Sequence, residues 1–188
     1  MKEGNVIIDR NCCLEKFAYT LVLSLGSNMG PSAEILQSAV DALSTTPHFA
    51  LTACSSVYLT KPVGDVEQDD FYNIVLIIRT DLEVHAVLER CQAIENSFGR
   101  VRDPQRPHGP RTLDIDLIYS DGMMYEDEKL TLPHPRAHER AFVLVPWQEI
   151  NPQARLPQGR ISDLLSCLDS ADVRPANFSI IWTQSLEN

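Results

Sequence analysis

Asn73 to Thr80 read NIVLIIRT, and this stretch decides the architecture. It is almost continuously apolar and short, the pattern of a strand covered on both faces, so it is expected at the centre of a sheet. On its amino-terminal side lies the polar loop KPVGDVEQDD (61–70), and before that Leu51 to Leu59 reads as another strand. Further out, Thr20 to Leu25 (TLVLSL) is a short buried strand, followed by the turn cluster Gly26-Ser27-Asn28 with Gly30-Pro31. Pro31 suits the first turn of a helix, and Leu36, Ala39, Val40 and Leu43 then recur at helical spacing. On the carboxyl-terminal side, Val84, Val87, Leu88, Cys91, Ile94 and Phe98 mark one face of a second helix that Gly99 ends. An arginine- and proline-rich loop comes next, and Leu113 to Tyr119 forms a fourth strand.

The order is therefore strand, helix, strand, strand, helix, strand. That is the ferredoxin-like βαββαβ pattern, an α+β antiparallel sheet with helices on one face. Residues 130–168 form carboxyl-terminal additions: a proline-rich segment, an apolar run from Phe142 to Trp147, and a short helix around Ile161 to Leu168. Residues 1–18 read as an extension outside the core, which leaves 19–188 as the working domain.

A chain of 188 residues with 44% apolar content can bury one substantial core. No window approaches the roughly 18 apolar residues of a membrane span. Near the amino terminus only Val6-Ile7-Ile8 is apolar, between Glu3 and Asp9-Arg10, too little for a secretory signal. The net charge of −10 argues against a nucleic-acid backbone as partner. A soluble cytoplasmic protein is expected. The five cysteines (Cys12, Cys13, Cys54, Cys91 and Cys167) are odd in number and lack zinc spacing; Cys91 and Cys167, at helical apolar positions, are expected as small core residues.

The chemistry is concentrated in GRVRDPQRPHGPRTLDIDLIY, from Gly99 to Tyr119. Arg100, Arg102, Arg106 and Arg111 stand there against the single acid Asp103 before the strand begins. A charge run of this kind is ordinarily a solvated loop. The strand behind it changes its meaning: Asp114 and Asp116 flank Ile115 in an apolar run, so alternation sends both carboxylates to one side and Leu113, Ile115 and Leu117 to the other. Adjacent carboxylates need a cation or an arginine between them. Mg²⁺ commonly takes one or two carboxylates and completes its sphere with water and substrate phosphates. Arginines supply forked donors for the phosphate oxygens. The combination points to a Mg-nucleotide-dependent transferase or hydrolase.

Weaker signals remain. The GSNMG segment at 26–30 lies between a strand and a helix but lacks the glycine pattern of a phosphate loop, so it reads as a turn. His134 and His138 have no third metal ligand at suitable spacing, and a polar contact to a nucleotide suits His134 better. His48 and His85 are expected at the surface. Phe71, Tyr72 and Phe142 suit either core or the stacking of a flat heterocycle.

At GRVR and GPRTLDIDLIY the sequence resembles the 6-hydroxymethyl-7,8-dihydropterin pyrophosphokinases of folate biosynthesis. The likeness extends to LSLGSN (23–28), SSVYLTKPVG (55–64), FYN (71–73) and LTLPHPRAHERAFVLVPW (130–147), and runs from about Tyr19 to Pro157. It implies transfer of pyrophosphate from ATP to the pterin alcohol, releasing AMP. It also implies two Mg²⁺ ions held by Asp114 and Asp116, and catalytic roles for these acids and for Arg100, Arg102 and Arg111. Gln92, Glu95, Arg102, Arg111, Lys129, His134 and Arg140 match nucleotide-site positions. Phe71 and Phe142 match the rings that sandwich the pterin, and Asn73 matches the side chain reading its amide edge. Backbone groups near Thr60 and Val63, together with Asp114, complete the pterin site. Two departures stand out: His108 follows Pro107 where relatives often have tryptophan, and Asp103 replaces a residue that is often basic. Small-molecule substrates, with no nucleic acid or membrane, are the partners implied. A metal-dependent phosphohydrolase, or a nucleotide-binding module without activity, are the competing readings; the second sits poorly with two intact aspartates.

Overall fold

The computed structural model describes residues 19–62, 68–100 and 109–183. The elements run β1 (Tyr19–Ser27), α1 (Ser32–Ser44), β2 (Phe49–Cys54), β3 (Tyr58–Thr60), β4 (Phe71–Thr80), α2 (Val84–Ser97) and β5 (Asp114–Ser120). A hairpin of β6 (Tyr125–Glu126) and β7 (Thr131–Leu132) comes next, then a 3₁₀ turn at Ala137–Glu139 and α3 (Ala141–Ile150). A second hairpin, β8 (Arg155–Leu156) and β9 (Gly159–Arg160), leads to α4 (Ile161–Ser166) and β10 (Arg174–Pro175).

The ferredoxin-like βαββαβ order is present, and β4 is central as its sequence requires. β4 pairs antiparallel with β1 from Tyr19↔Thr80 to Ser27↔Tyr72. Its other side is shared by β2, from Phe49↔Thr80 to Cys54↔Leu76, and β3, from Tyr58↔Asn73 to Thr60↔Phe71. The sheet order is β10-β3-β4-β1-β5, with β2 on β4 beyond the end of β3. Leu51 to Leu59, expected as one strand, is thus two. The break is built by Ser55, whose amide donates to the Val75 carbonyl (2.9 Å) and whose hydroxyl accepts the Val75 N–H (2.9 Å). Next to it, Glu149 of α3 accepts hydrogen bonds from the Ser56 amide (3.1 Å), the Ser56 hydroxyl (2.7 Å) and the Tyr58 hydroxyl (3.0 Å).

Strand alternation sorts side chains into two cores. Leu21, Leu23, Leu25, Ile74, Leu76, Ile78, Ile115 and Leu117 face α1 and α2. Val22, Val75 and Ile118 face α3 and α4, against Val143, Leu144 and Trp147. Helices of the βαββαβ unit therefore cover one face, and the carboxyl-terminal additions cover part of the other. The apolar run Phe142 to Trp147 is itself helical in spite of Pro146, which has no N–H to offer the Phe142 carbonyl. Along β5 the alternation breaks once: Leu23 opposes Leu117 and Val22 opposes Tyr119, leaving Ile118 as a bulge. Tyr119 thereby joins Ile118 on the α3 face, where its ring centroid lies 5.5 Å from that of Trp147. Cys91 is buried as expected, whereas Cys167 is exposed, because α4 stops at Ser166 and buries little besides Ile161.

Trp147 is 1% exposed, and its indole N–H has no partner among the described residues. Trp147→Ala should cost about 3–5 kcal/mol through lost burial and the cavity left behind. Trp147→Phe should cost much less, since it keeps a ring in place and removes an unpaired donor. Thermal unfolding of the two variants checks this: about 2–4 °C is lost per kcal/mol for a chain of this size.

Candidate active site

The site lies on the α3 side of the sheet, at the end that α3 and α4 leave open. Side chains alternate, so one row from each central strand points there: Ser24 and Gly26 from β1, Phe71 and Asn73 from β4, Asp114 and Asp116 from β5. The register places Gly26 between Asn73 and Asp114, and Ser24 opposite Asp116. Gly26 is required here: a Cβ at this position would meet the Asn73 Oδ1 at 2.9 Å. These residues floor a cavity of about 630 Å³, a volume suited to a small ligand.

Charge in the cavity is organised around the two acids. Asp114 is held from both sides, its Oδ1 2.6 Å from the Arg100 Nη1 and its Oδ2 accepting from the Arg111 Nη1 at 2.5 Å. Arg100 also pairs with Glu95, which is 2% exposed and accepts the Ile115 N–H at 2.7 Å. Asp116 accepts from the Arg140 Nη1 at 3.0 Å. Burial and the neighbouring Asp114 charge raise the Asp116 carboxyl above its ordinary value, with Arg140 and His134 opposing the rise. His134 moves the other way, its pKa lowered by burial and by Arg140. Its Nδ1 accepts the Arg136 N–H (3.1 Å), so the neutral ring carries its proton on Nε2. The bulge at Ile118 sets this residue in place, because the Ile118 carbonyl receives the His134 N–H at 2.8 Å.

The aromatic and amide groups sit beside this cluster. The Arg111 guanidinium lies 5.6 Å from the Phe71 ring centroid, and that of Arg140 lies 5.7 Å from Phe142. Each ring is thus close to an arginine that also holds an acid. Asn73 is 4% exposed and donates from Nδ2 to the Thr60 Oγ1 at 2.7 Å, which fixes its amide plane. Tyr72, next in sequence, points to the opposite face and packs against Phe178 at 5.1 Å.

Several expected site residues line the cavity together: Arg100, Arg111, Asp114, Asp116, His134 and Arg140. Thr60, Phe71, Asn73 and Phe142 line it as well. Glu95 is not in the lining and pairs with Arg100, which is. Gln92, half-buried on α2, and Lys129, exposed in the β6–β7 turn, lie outside its lining. Val63, Arg102, Arg106 and His108, and the extension 1–18, are outside the described residues. Sequence reasoning passed over Asn28. Its amide donates to the Arg111 carbonyl (3.1 Å), its Oδ1 accepts the Arg111 N–H (2.9 Å), and its Nδ2 reaches the Gln68 Oε1 and the Asp69 carbonyl, each at 3.0 Å. The turn read at 26–30 is in fact a clamp between two walls of the cavity. Lys61, Arg136 and Asp172 also line the cavity without having been expected there.

The donors fit a hard divalent cation. Two carboxylates share one face of β5. No group of three or more His, Cys, Asp or Glu that could hold a metal occurs among the described residues. Two neighbouring carboxylates fit Mg²⁺ completed by phosphate and water rather than a closed zinc site.

Residues 22–152 match the family model of 7,8-dihydro-6-hydroxymethylpterin-pyrophosphokinase. A Methylorubrum extorquens protein named 2-amino-4-hydroxy-6-hydroxymethyldihydropteridine pyrophosphokinase is 43% identical over 151 residues, covering 80% of this chain and 94% of that one. Proteins of the same name from Haemophilus influenzae (39% over 142 residues, 76% and 88% covered) and Bacillus subtilis (41% over 128 residues, 68% and 75% covered) are also similar. Among solved structures, wild-type Plasmodium falciparum HPPK-DHPS with pterin and p-hydroxybenzoate superposes with a TM-score of 0.61 at 14% identity. That match covers 79% of this chain and 41% of the Plasmodium chain, so the chain spans less than half the length of that neighbour, and the likeness concerns the fold. With two-thirds of its length in the matched span and relatives near 40% identity, the chain belongs to the 7,8-dihydro-6-hydroxymethylpterin-pyrophosphokinase family.

Proposed function

We propose that this chain transfers the pyrophosphoryl group of ATP to the hydroxymethyl oxygen of 6-hydroxymethyl-7,8-dihydropterin, giving the pterin diphosphate and AMP, a step of folate biosynthesis. The observation that carries this reading is the meeting in one cavity of two parts. One is an acid pair ringed by arginines, for polyphosphate; the other is two aromatic rings and a fixed amide in the same lining, for a flat heterocycle. A phosphohydrolase has use for the first part and none for the second.

Asp114 and Asp116 would hold two Mg²⁺ ions, and the metal would supply neutralisation of the phosphate charge. The remaining work falls to positioning. Phe71 and Phe142 stack the pterin, and Asn73, locked by Thr60, presents its amide to the edge of the ring. Arg100, Arg111 and Arg140 offer forked donors to phosphate oxygens, and the neutral His134 offers its Nε2–H. Gln92, Lys129 and Arg102 are assigned to the nucleotide by resemblance alone. Residues 19–188 are taken as the catalytic domain and 1–18 as an extension. No helix among the described residues is long and apolar enough to cross a membrane, and cytoplasmic residence is proposed.

The direct test is AMP formation that requires both ATP and the pterin alcohol; release of phosphate from ATP without a pterin diphosphate would establish the hydrolase instead. Asp116→Asn should lower turnover at least ~10²–10³-fold, the loss typical of one preorganised electrostatic group. The same change should leave metal-free stability unchanged or higher, because it removes a carboxylate whose charge is disfavoured. Phe142→Ala should weaken pterin binding by about 1–3 kcal/mol while ATP binding changes less; equal losses for both ligands would make Phe142 a plain structural residue.

Asp116 also sets a pH dependence. Its folded pKa is raised, so metal-free stability is greatest with the group protonated and falls as pH rises through that value. A cation needs the ionised form. The rise in Tm on adding Mg²⁺ should accordingly be small where Asp116 is protonated and grow as pH rises beyond the ordinary carboxylate range. An increment that is flat with pH would remove Asp116 from the metal site.

A further inference from the structure

The segment after α4 lies beyond the span 22–152 that matches the family. It nevertheless runs as a strap from the cavity across the molecule. Arg174 and Pro175 add β10 to the edge of β3, and the Ala176 N–H donates to the Val57 carbonyl at 2.8 Å. From there alternate side chains, Ala176, Phe178, Ile180 and Trp182, pack on the α1–α2 core. The Gln37 side chain grips the far end, donating to the Ile181 carbonyl (2.7 Å) and accepting its N–H (2.9 Å). The near end, Asp172 and Val173, lines the substrate cavity. There the Asp172 Oδ1 sits 2.8 Å from the Lys61 Nζ, and Lys61 lines the cavity too.

Lys61 directly follows Thr60, the last residue of β3 and the partner that holds Asn73. The strap is anchored on the core at one end and holds β3 by backbone pairing. The ion pair links it to the chain leaving β3 towards residue 70. We propose that Asp172 is a positioning residue for the pterin: through Lys61 it fixes the end of β3, and so the Thr60–Asn73 amide that faces the ring. This inference rests on the proposed pterin site, and it adds a carboxyl-terminal wall to that site.

Both side chains are more than half exposed, at 61% and 54%, so the pair is weak and screened by salt. Its effect should be correspondingly modest, about two- to fivefold, the most an exposed ion pair supplies. Asp172→Asn and Lys61→Gln should each raise the KM for the pterin alcohol by that factor. The KM for ATP and kcat should move less than about twofold, and Tm should hold. The exchanged pair Lys61→Asp with Asp172→Lys should recover most of the loss. The difference between wild type and Asp172→Asn should vanish near 1 M salt, where screening acts over about 3 Å.

A merely structural contact would shift Tm, or both KM values together, without this salt dependence. Unchanged pterin KM in active Asp172→Asn, or failure of the exchanged pair to recover with Tm intact, would overturn the proposal. Wild-type protein that neither binds nor turns over the pterin would instead overturn the functional reading beneath it.

Discussion

Two carboxylates on alternate residues of one strand repel each other, and the site is organised around containing that repulsion. Asp114 and Asp116 share a face because the strand pleat leaves no choice. Three arginines from three different places answer them: Arg100 just past α2, Arg111 ahead of β5, and Arg140 at the start of α3. Each arginine must be delivered by its own element. The helix α2 therefore carries the buried Glu95, which ties Arg100 and the Ile115 amide together. The loop before β5 is clamped by Asn28, and α3 begins where Arg140 can reach Asp116. Burial first, and the Asp114 charge second, raise the Asp116 carboxyl against the pull of Arg140 and His134. The result is a pair of acids and three arginines gathered in a cavity sized for a small ligand.

The fold was legible because the central strands are buried on both faces and their hydrophobic runs are unbroken. From residue order alone, NIVLIIRT belongs in the middle of the sheet and the DID alternation assigns the faces of its side chains. Where the reading stopped short, the causes are local. The division of Leu51–Leu59 rests on Ser55 bonding to Val75 and on Glu149 receiving Ser56, contacts between residues far apart in sequence. The helix α3 was hidden by Pro146, which argues against a helix unless tertiary packing supports it. The exposure of Cys167 follows from α4 ending one residue earlier, a matter no apolar pattern encodes.

The site was legible in its chemistry but not in its outline. The acids and arginines were readable from type and spacing, the rings and Asn73 from the family resemblance; of these, Asp114, Asp116, Arg100, Arg111, Phe71, Phe142 and Asn73 line one cavity, while Arg102 and Arg106 lie outside the described residues. Lys61 and Asp172 were not readable: Lys61 lies within SSVYLTKPVG, but its partner stands more than 100 positions away in a segment outside every motif. Asn28 was read as part of a turn, since its role depends on Arg111 and Asp69 arriving beside it. The bulge at Ile118 belongs to the same class: a single extra residue turns Tyr119 to the other core and offers the carbonyl that positions His134, and nothing in DLIY announces it.

Gly26 has a consequence for inhibition and resistance. It lies in the cavity floor between Asn73 and Asp114, and even a methyl group there would press on the amide that is proposed to read the pterin. A protein evading an inhibitor usually does so by enlarging a side chain that touches the drug and not the substrate. At Gly26 that route is closed, because steric exclusion of the drug and damage to substrate recognition would be the same event. Compounds that draw their contacts from this backbone floor, rather than from the exposed rim at Arg136 or Glu139, would leave the organism few tolerated substitutions with which to escape.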